Sequence, residues 1–253
     1  MNTQHLSREK GFTLVEIVLA LLIGLLLLAT VYFAVTTAQR STTGVQIKVV
    51  AQQDVRAILE AMALEIAMAS YNPTFNPTLW RDPSNCTNLV PASSSPAPNQ
   101  DCRGIQLARA NSLSIEMDLD GNSQIFQTGS PADQNEIITY AYDITNQRIT
   151  RQVNCGEVTS FLGDLATSAR SVRVVNDVNQ NSLYDQGVDI PVFRYFDVTG
   201  AEILETNLPR DIPLIRRIDI NLSVDTEEVD PNTRARRRMT YTTSVVPRNH
   251  AYR

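Results

Sequence analysis

The chain has 253 residues, 43% apolar and 19% charged, which suits a folded protein with one sizeable domain and excludes a polar, disordered chain. A net charge of −5 gives no general basis for nucleic-acid binding. There are only two histidines and no zinc, phosphate-loop or dinucleotide signature, so the expectation is a protein that is not an enzyme.

The first element is apolar. From Ile17 to Val35 no residue carries a charge, and a helix of that length spans a hydrocarbon core of about 30 Å. Arg8 and Lys10 precede it, which sets the short N-terminus on the cytoplasmic side and the bulk of the chain beyond the membrane. The order of parts differs from a secretory signal, whose small-residue cleavage site follows the apolar core. Here the small residue, Gly11, comes first, and cleavage after it would keep the whole span in the mature chain. Glu16 lies at the start of the apolar run. A carboxylate there is costly in lipid and marks a functional candidate; a favourable interaction with the helix dipole is the plainer reading.

Beyond Val35 the pattern turns amphipathic. Val55, Ile58, Leu59, Met62, Ile66 and Ala69 recur at helical spacing, and Tyr71-Asn72-Pro73 is the expected stop. Residues 12–71 therefore read as one helix about 90 Å long, with Gly24 and Gly44 as weak points.

The region 72–253 reads as a β-rich globular domain. It opens with a proline-rich loop holding Trp80, the only tryptophan, expected to anchor the loop on the domain. Cys86 and Cys102 flank part of this loop. A disulfide between them would close about 15 residues and contribute on the order of 3 kcal/mol. The anchor implies an oxidising location that favours such a bridge and leaves Cys155 as the odd, buried cysteine. Strand patterns follow around Leu113–Met117, Glu136–Tyr142, Gln147–Val153, Val192–Asp197, Ile215–Val224 and Arg238–Val246. The fold class expected is α+β: a long N-terminal helix packed on an antiparallel sheet.

Three polar segments are candidate sites. Asp177, Asn179, Asn181 and Asp185 alternate with other residues, and with the Leu183 carbonyl they offer oxygen ligands for calcium. Ser182 replaces the turn glycine of a calcium-binding EF-hand loop, and Val188 stands where that loop carries a bidentate glutamate, with Asp189 one residue on. An Asx-rich surface turn is the alternative. Asp118-Leu119-Asp120-Gly121-Asn122 is a shorter version, read as a hairpin turn. Arg234 to Arg238 holds four arginines that face Asp225, Glu227, Glu228 and Asp230 across a loop, read as a self-neutralising hairpin.

The segment Gly11-Phe12-Thr13-Leu14-Val15-Glu16 resembles the processing motif of type IV prepilins and type II secretion pseudopilins. The resemblance implies a leader peptide of residues 1–11, cleavage by prepilin peptidase between Gly11 and Phe12, N-methylation of Phe12 and a role for Glu16 in subunit recruitment. Cleavage there would also create a cation, the Phe12 α-amino group, with which Glu16 of a neighbouring subunit could pair within a filament. The apolar half lacks the proline that major type IVa pilins usually carry, and the chain is longer than most of them, which points to a minor subunit. Looser likenesses run through Ile138-Thr139-Tyr140, Phe193 to Asp197 and Val245 to Asn249. They suggest the PilW-like minor pilins first and the J-type minor pseudopilins second. The expected partners are other major and minor pilins and the peptidase. The expected location is the inner membrane, single-pass, with the domain in the periplasm and later on the pilus at the cell surface. A membrane-tethered, calcium-dependent binding domain is the rival from another class.

Overall fold

The computed structural model describes residues 11–81, 100–126, 135–163, 171–179, 181, 183–208 and 210–250. Helix α1 runs over Leu14–Met68, 55 residues and about 82 Å of axis. Its buried residues Gly44, Ala51, Val55, Leu59, Met62 and Ile66 form one stripe, the face expected from their three- and four-residue spacing. None of residues 14–43 is buried.

The helix stops earlier than Pro73 requires. Ala69 takes an extended ψ of 141°, and Ser70 is left-handed at φ 66°. Ser70 N–H then donates to the Glu116 carbonyl at 2.9 Å, and Asp118 N–H donates to the Tyr71 carbonyl at 2.9 Å. Hydrogen bonds to the sheet thus replace those of a further helical turn.

Two antiparallel sheets are present where the sequence suggested one. The first is a meander of β1 (Ile105–Ala108), β2 (Ser112–Glu116), β3 (Ile137–Asp143), β4 (Arg148–Val153) and β5 (Thr159–Leu162), in that order. The second holds β6 (Val172–Val174), β7 (Phe193–Phe196), β8 (Glu202–Ile203), β9 (Arg217–Thr226) and β10 (Arg238–Val245). Strand β9 is its spine. β10 pairs with one edge over eight consecutive residues. The other edge is shared end to end, β7 against its start and β6 against its finish.

Alternation explains β9 as far as Leu222, and Ser223 beyond it is covered by Asn176, whose Oδ1 accepts its N–H at 2.9 Å. Ile218, Ile220, Leu222 and Val224 are fully buried, while Arg217, Asp219 and Asn221 face outward, as a period of two demands. Helix α1 packs against β5 of the first sheet and β9 and β10 of the second. One apolar core runs from Ala51, Val55 and Met62 through Leu113, Ile138 and Tyr140 to Ile218 and Leu222. A satellite cluster of Leu79, Trp80, Ile125 and Ile137 fixes the loop after the helix, so Trp80 is the anchor it was expected to be.

A polar clamp adds to the apolar contact. Arg151 of β4 donates to both Glu65 oxygens, Nε at 3.1 Å and Nη2 at 2.8 Å, and the Tyr140 hydroxyl donates to the same carboxylate. Burial first, and Glu65 second, push the Tyr140 pKa well above its ordinary value, so the phenol stays protonated and donates.

The cysteine expectation needs correction. Cys102 is a buried thiol, 3% exposed and packed in the main core; Cys86 lies outside the described residues. Cys155, expected to be the odd one, is disulfide-bonded. It follows β4 in a half-buried, left-handed turn. Nearness in sequence suggested the Cys86–Cys102 pair, but side-chain direction decides disulfides, and Cys102 points inward.

Candidate functional site

The sequence singled out Gly11, Phe12 and Glu16, and the structure places all three at the exposed head of α1. Thr13 is the N-cap. Its hydroxyl accepts the Glu16 N–H at 3.3 Å, and the Glu16 carboxylate accepts the Thr13 N–H at 3.2 Å. This is a reciprocal capping box, which satisfies two of the orphan donors at a helix start. Thr13 was missed in the sequence, although its signal was there: Thr-x-x-Glu directly before an apolar run.

The cap explains how an acid survives at the entrance to an apolar helix. The Glu16 carboxylate meets the Thr13 N–H at 3.2 Å, the Thr13 hydroxyl at 3.3 Å and the positive helix end within its own chain. Phe12 lies just before the cap and is 81% exposed. A side chain built on Gly11 would meet no atom within 4 Å. Among the described residues nothing requires glycine there, and Gly11 and Phe12 are both exposed. Below it, Phe12, Glu16, Ala20 and Gly24 line one face. The small residues leave a shallow apolar groove under the carboxylate.

The polar loop expected for calcium is closed by its own hydrogen bonds. Asp185 Oδ2 accepts amide hydrogens from Asn179 at 2.5 Å and Asn181 at 2.7 Å. Asn179 Oδ1 accepts the Asn181 N–H, and Asn181 Oδ1 accepts the Leu183 N–H. Asp189 accepts two backbone N–H groups, from Val178 and Asp185. Asp177 is buried at the start of the loop, and its own N–H faces the Tyr142 hydroxyl at 3.4 Å.

A different acid group is better gathered. Asp118, Asp120 and Glu136 bring carboxylate oxygens within 4.8 Å of one another. Asp118 and Glu136 are fully buried. Both spend their oxygens on backbone N–H groups: Asp118 on Gly121 and Ser123, Glu136 on Leu119 and Phe126. These bonds organise the long connection between β2 and β3, so Asp120-Gly121 is no tight hairpin turn. Glu136 was missed because 15 positions separate it from Gly121 in sequence.

The helix terminus opposite the membrane end carries a second buried polar node. The His250 Nε2–H donates to the Ile212 carbonyl at 3.0 Å. Because that carbonyl can only accept, the neutral ring offers Nδ1 to the Ser70 hydroxyl at 2.9 Å. Ser70 Oγ in turn accepts the Gly104 N–H at 3.0 Å. Burial lowers the His250 pKa to about 4, with help from Arg103 and Arg216 and against the bond to Ile212.

Residues 6–32 match the family model described as the prokaryotic N-terminal methylation motif. No curated protein and no solved structure matches the chain. Proteins with this motif are structural pilin subunits rather than enzymes, are processed by prepilin peptidase and assemble with other pilins. The motif heads a membrane-length helix that carries an α+β domain, an arrangement that supports a type IV pilin-like protein in general, pilins and pseudopilins alike.

Proposed function

We propose that the chain is a minor pilin of a type IV pilus, of the PilW-like kind, that acts in starting assembly or at the tip of the filament. The observation that carries this reading is the exposed first half of α1. Residues 14–43 contain no buried position and many large apolar side chains, Leu14 at 79% and Leu28 at 69% exposure among them. So much apolar surface needs another occupant, first lipid and then the helices of neighbouring subunits. The absence of a helix proline and the size of the two-sheet domain support a minor rather than a major subunit.

In this reading the peptidase cuts the Gly11–Phe12 bond and the Phe12 amine is methylated. The glycine serves the enzyme, since the fold itself has room for a larger side chain. Before assembly Glu16 caps its own helix. In the filament it exchanges that cap for the Phe12 amine of a neighbour, trading two neutral donors for a cation. The domain faces the periplasm until the subunit joins the pilus.

The test is a Glu16→Ala variant in cells with active peptidase, read by intact mass and by filament count. The reading expects a mature chain beginning at Phe12, with Glu16→Ala processed normally and filaments reduced. Retention of residues 1–11, or filaments unchanged by Glu16→Ala, would refute it.

A further inference from the structure

The second sheet has a directed relation to the membrane span. Near the helix end, Arg248 N–H donates to the Ala67 carbonyl. From there the β9–β10 hairpin runs back along α1 and delivers its loop to the other end of the contact. Asn232 donates to the Arg40 carbonyl at 3.5 Å. The buried Asp230 carboxylate rests on Gly44, 3.2 Å from where a side-chain carbon would stand. Gly44, a weak point for the helix alone, is the notch that seats this loop.

The helix sets the depth of that contact. The apolar run ends at Val35, uncharged Thr36 to Gln39 follow, and Arg40 lies five residues beyond Val35, about 7.5 Å along the axis. That is the thickness of a headgroup layer, since roughly 30 Å of hydrocarbon sits inside roughly 40–45 Å of bilayer. The loop tip therefore stands at the level of lipid phosphates at the C-terminal end of the span.

Its charge is unevenly cancelled. Arg238 is held by Asp225 at 2.9 Å. Glu227 holds Arg173 at 2.5 Å; its carboxylate meets Arg236 at 3.9 Å, while Arg236 Nε–H donates to the Glu227 carbonyl at 3.1 Å and the residue stays exposed. Asp230 is turned inward, and Glu228 is the exposed acid left on the loop. Arg234, Arg237 and Arg40 are exposed and have no ion pair among the described residues. The hairpin that looked self-neutral in sequence keeps a net positive rim on its membrane side.

We propose that this rim binds anionic phospholipid headgroups while α1 is in the bilayer, with Arg234, Arg236, Arg237 and Arg40 contacting phosphate. Lipid is favoured over a protein partner because the chain's own helix already holds the loop at phosphate depth. No association cost remains, and the contact is intramolecular in effect. Guanidinium groups bind phosphate in bidentate fashion. The contact would fix the domain's tilt and rotation over the membrane, and it would have to break when the subunit leaves for a filament. The inference rests on membrane insertion of α1 but not on the choice between pilin and pseudopilin.

The test uses the full chain in lipid nanodiscs of phosphatidylcholine, with or without phosphatidylglycerol. Thr233→Cys carries a fluorophore, and a headgroup-attached quencher reports contact. The expected result is stronger quenching with phosphatidylglycerol, weakened by salt. Each of Arg234→Ser, Arg236→Ser and Arg237→Ser is expected to lower the bound-to-free ratio roughly fivefold. Equal quenching in both lipids, or a triple variant that behaves like the parent, overturns the proposal. So does contact that arises only when a second pilin subunit is added, which assigns the rim to protein. Chain that fails to stay in the discs overturns the anchor itself, a separate readout from the quenching.

Discussion

Acid should loosen this protein through a single imidazole. Above about pH 6.5 His250 is neutral in both folded and unfolded chains, so its contribution is complete. As pH falls toward its native pKa of about 4, the unfolded chain takes up a proton that the native one refuses, and stability drops. Each pH unit of that interval is worth about 1.4 kcal/mol. The whole interval from 6.5 to about 4 amounts to roughly 3 kcal/mol, of which about 2 is gone by about pH 5. Protonation has a visible structural cost, because a cationic ring cannot accept the Ser70 hydroxyl hydrogen and would face Arg103 and Arg216. The assay is denaturant unfolding of the detergent-solubilised chain across that range, compared with His250→Gln. Carboxylates add their own acid loss to both proteins, so the difference between them isolates the imidazole. The stability advantage of the wild type should shrink by about 2 kcal/mol between about pH 7 and about pH 5. A difference that stays constant, or an imidazole resonance that titrates near 6.5, would refute the reasoning.

Four further outcomes follow from the packing. Gly104→Ala would drive a methyl to 2.3 Å from the Glu116 carbonyl and 2.4 Å from Ser70 N. Both are backbone atoms without a rotamer to escape into, so a loss of about 3 kcal/mol or more is expected in chemical unfolding. Glu65→Gln removes the ionic half of the clamp while keeping its shape. About 2 kcal/mol should be lost, since the pair is only partly buried, and Arg151→Met in the same background should then cost little. Alkylation of the denatured, unreduced chain should modify Cys102 and leave Cys155 untouched; labelled Cys155 would overturn its bonded state. Asp185→Ala should loosen the 177–185 loop by removing the acceptor of two amides, whatever the calcium level. A melting temperature raised by calcium in the wild type but not in Asp185→Ala would assign an ion to that loop.

Much of the molecule was readable because its signals are local. The processing segment and the apolar span lie in contiguous residues, and so does the β3–β4 hairpin, closed by Asp143 accepting from Asn146. The β9–β10 pair announces itself by alternation. What stayed hidden depends on contacts between distant residues. β6 and β8 are three and two residues long and exist only because β9 and β7 offer them an edge. The end of α1 is set by Glu116 and His250 rather than by the nearby proline. Glu136 joins Asp118 across a long connection. The disulfide question turned on which way Cys102 points. The capping box is a different case: its letters are present and local, but Glu16 reads first as an acid facing the helix dipole and Thr13 only as a letter of the processing motif.

The Ser70–His250 bond carries a consequence for timing. The two residues are 180 positions apart, and synthesis proceeds from the N-terminus. The anchor and α1 are thus made and ready for the bilayer long before the residue that fastens the helix end exists. β10, which lies along α1, also emerges long after the helix it covers. An incomplete chain would expose the apolar stripe from Ala51 to Ile66 with no sheet edge to close over it. Such high sequence separation slows folding, and here it also acts as a checkpoint: the helix gains a fixed domain only after 180 further residues have been translated.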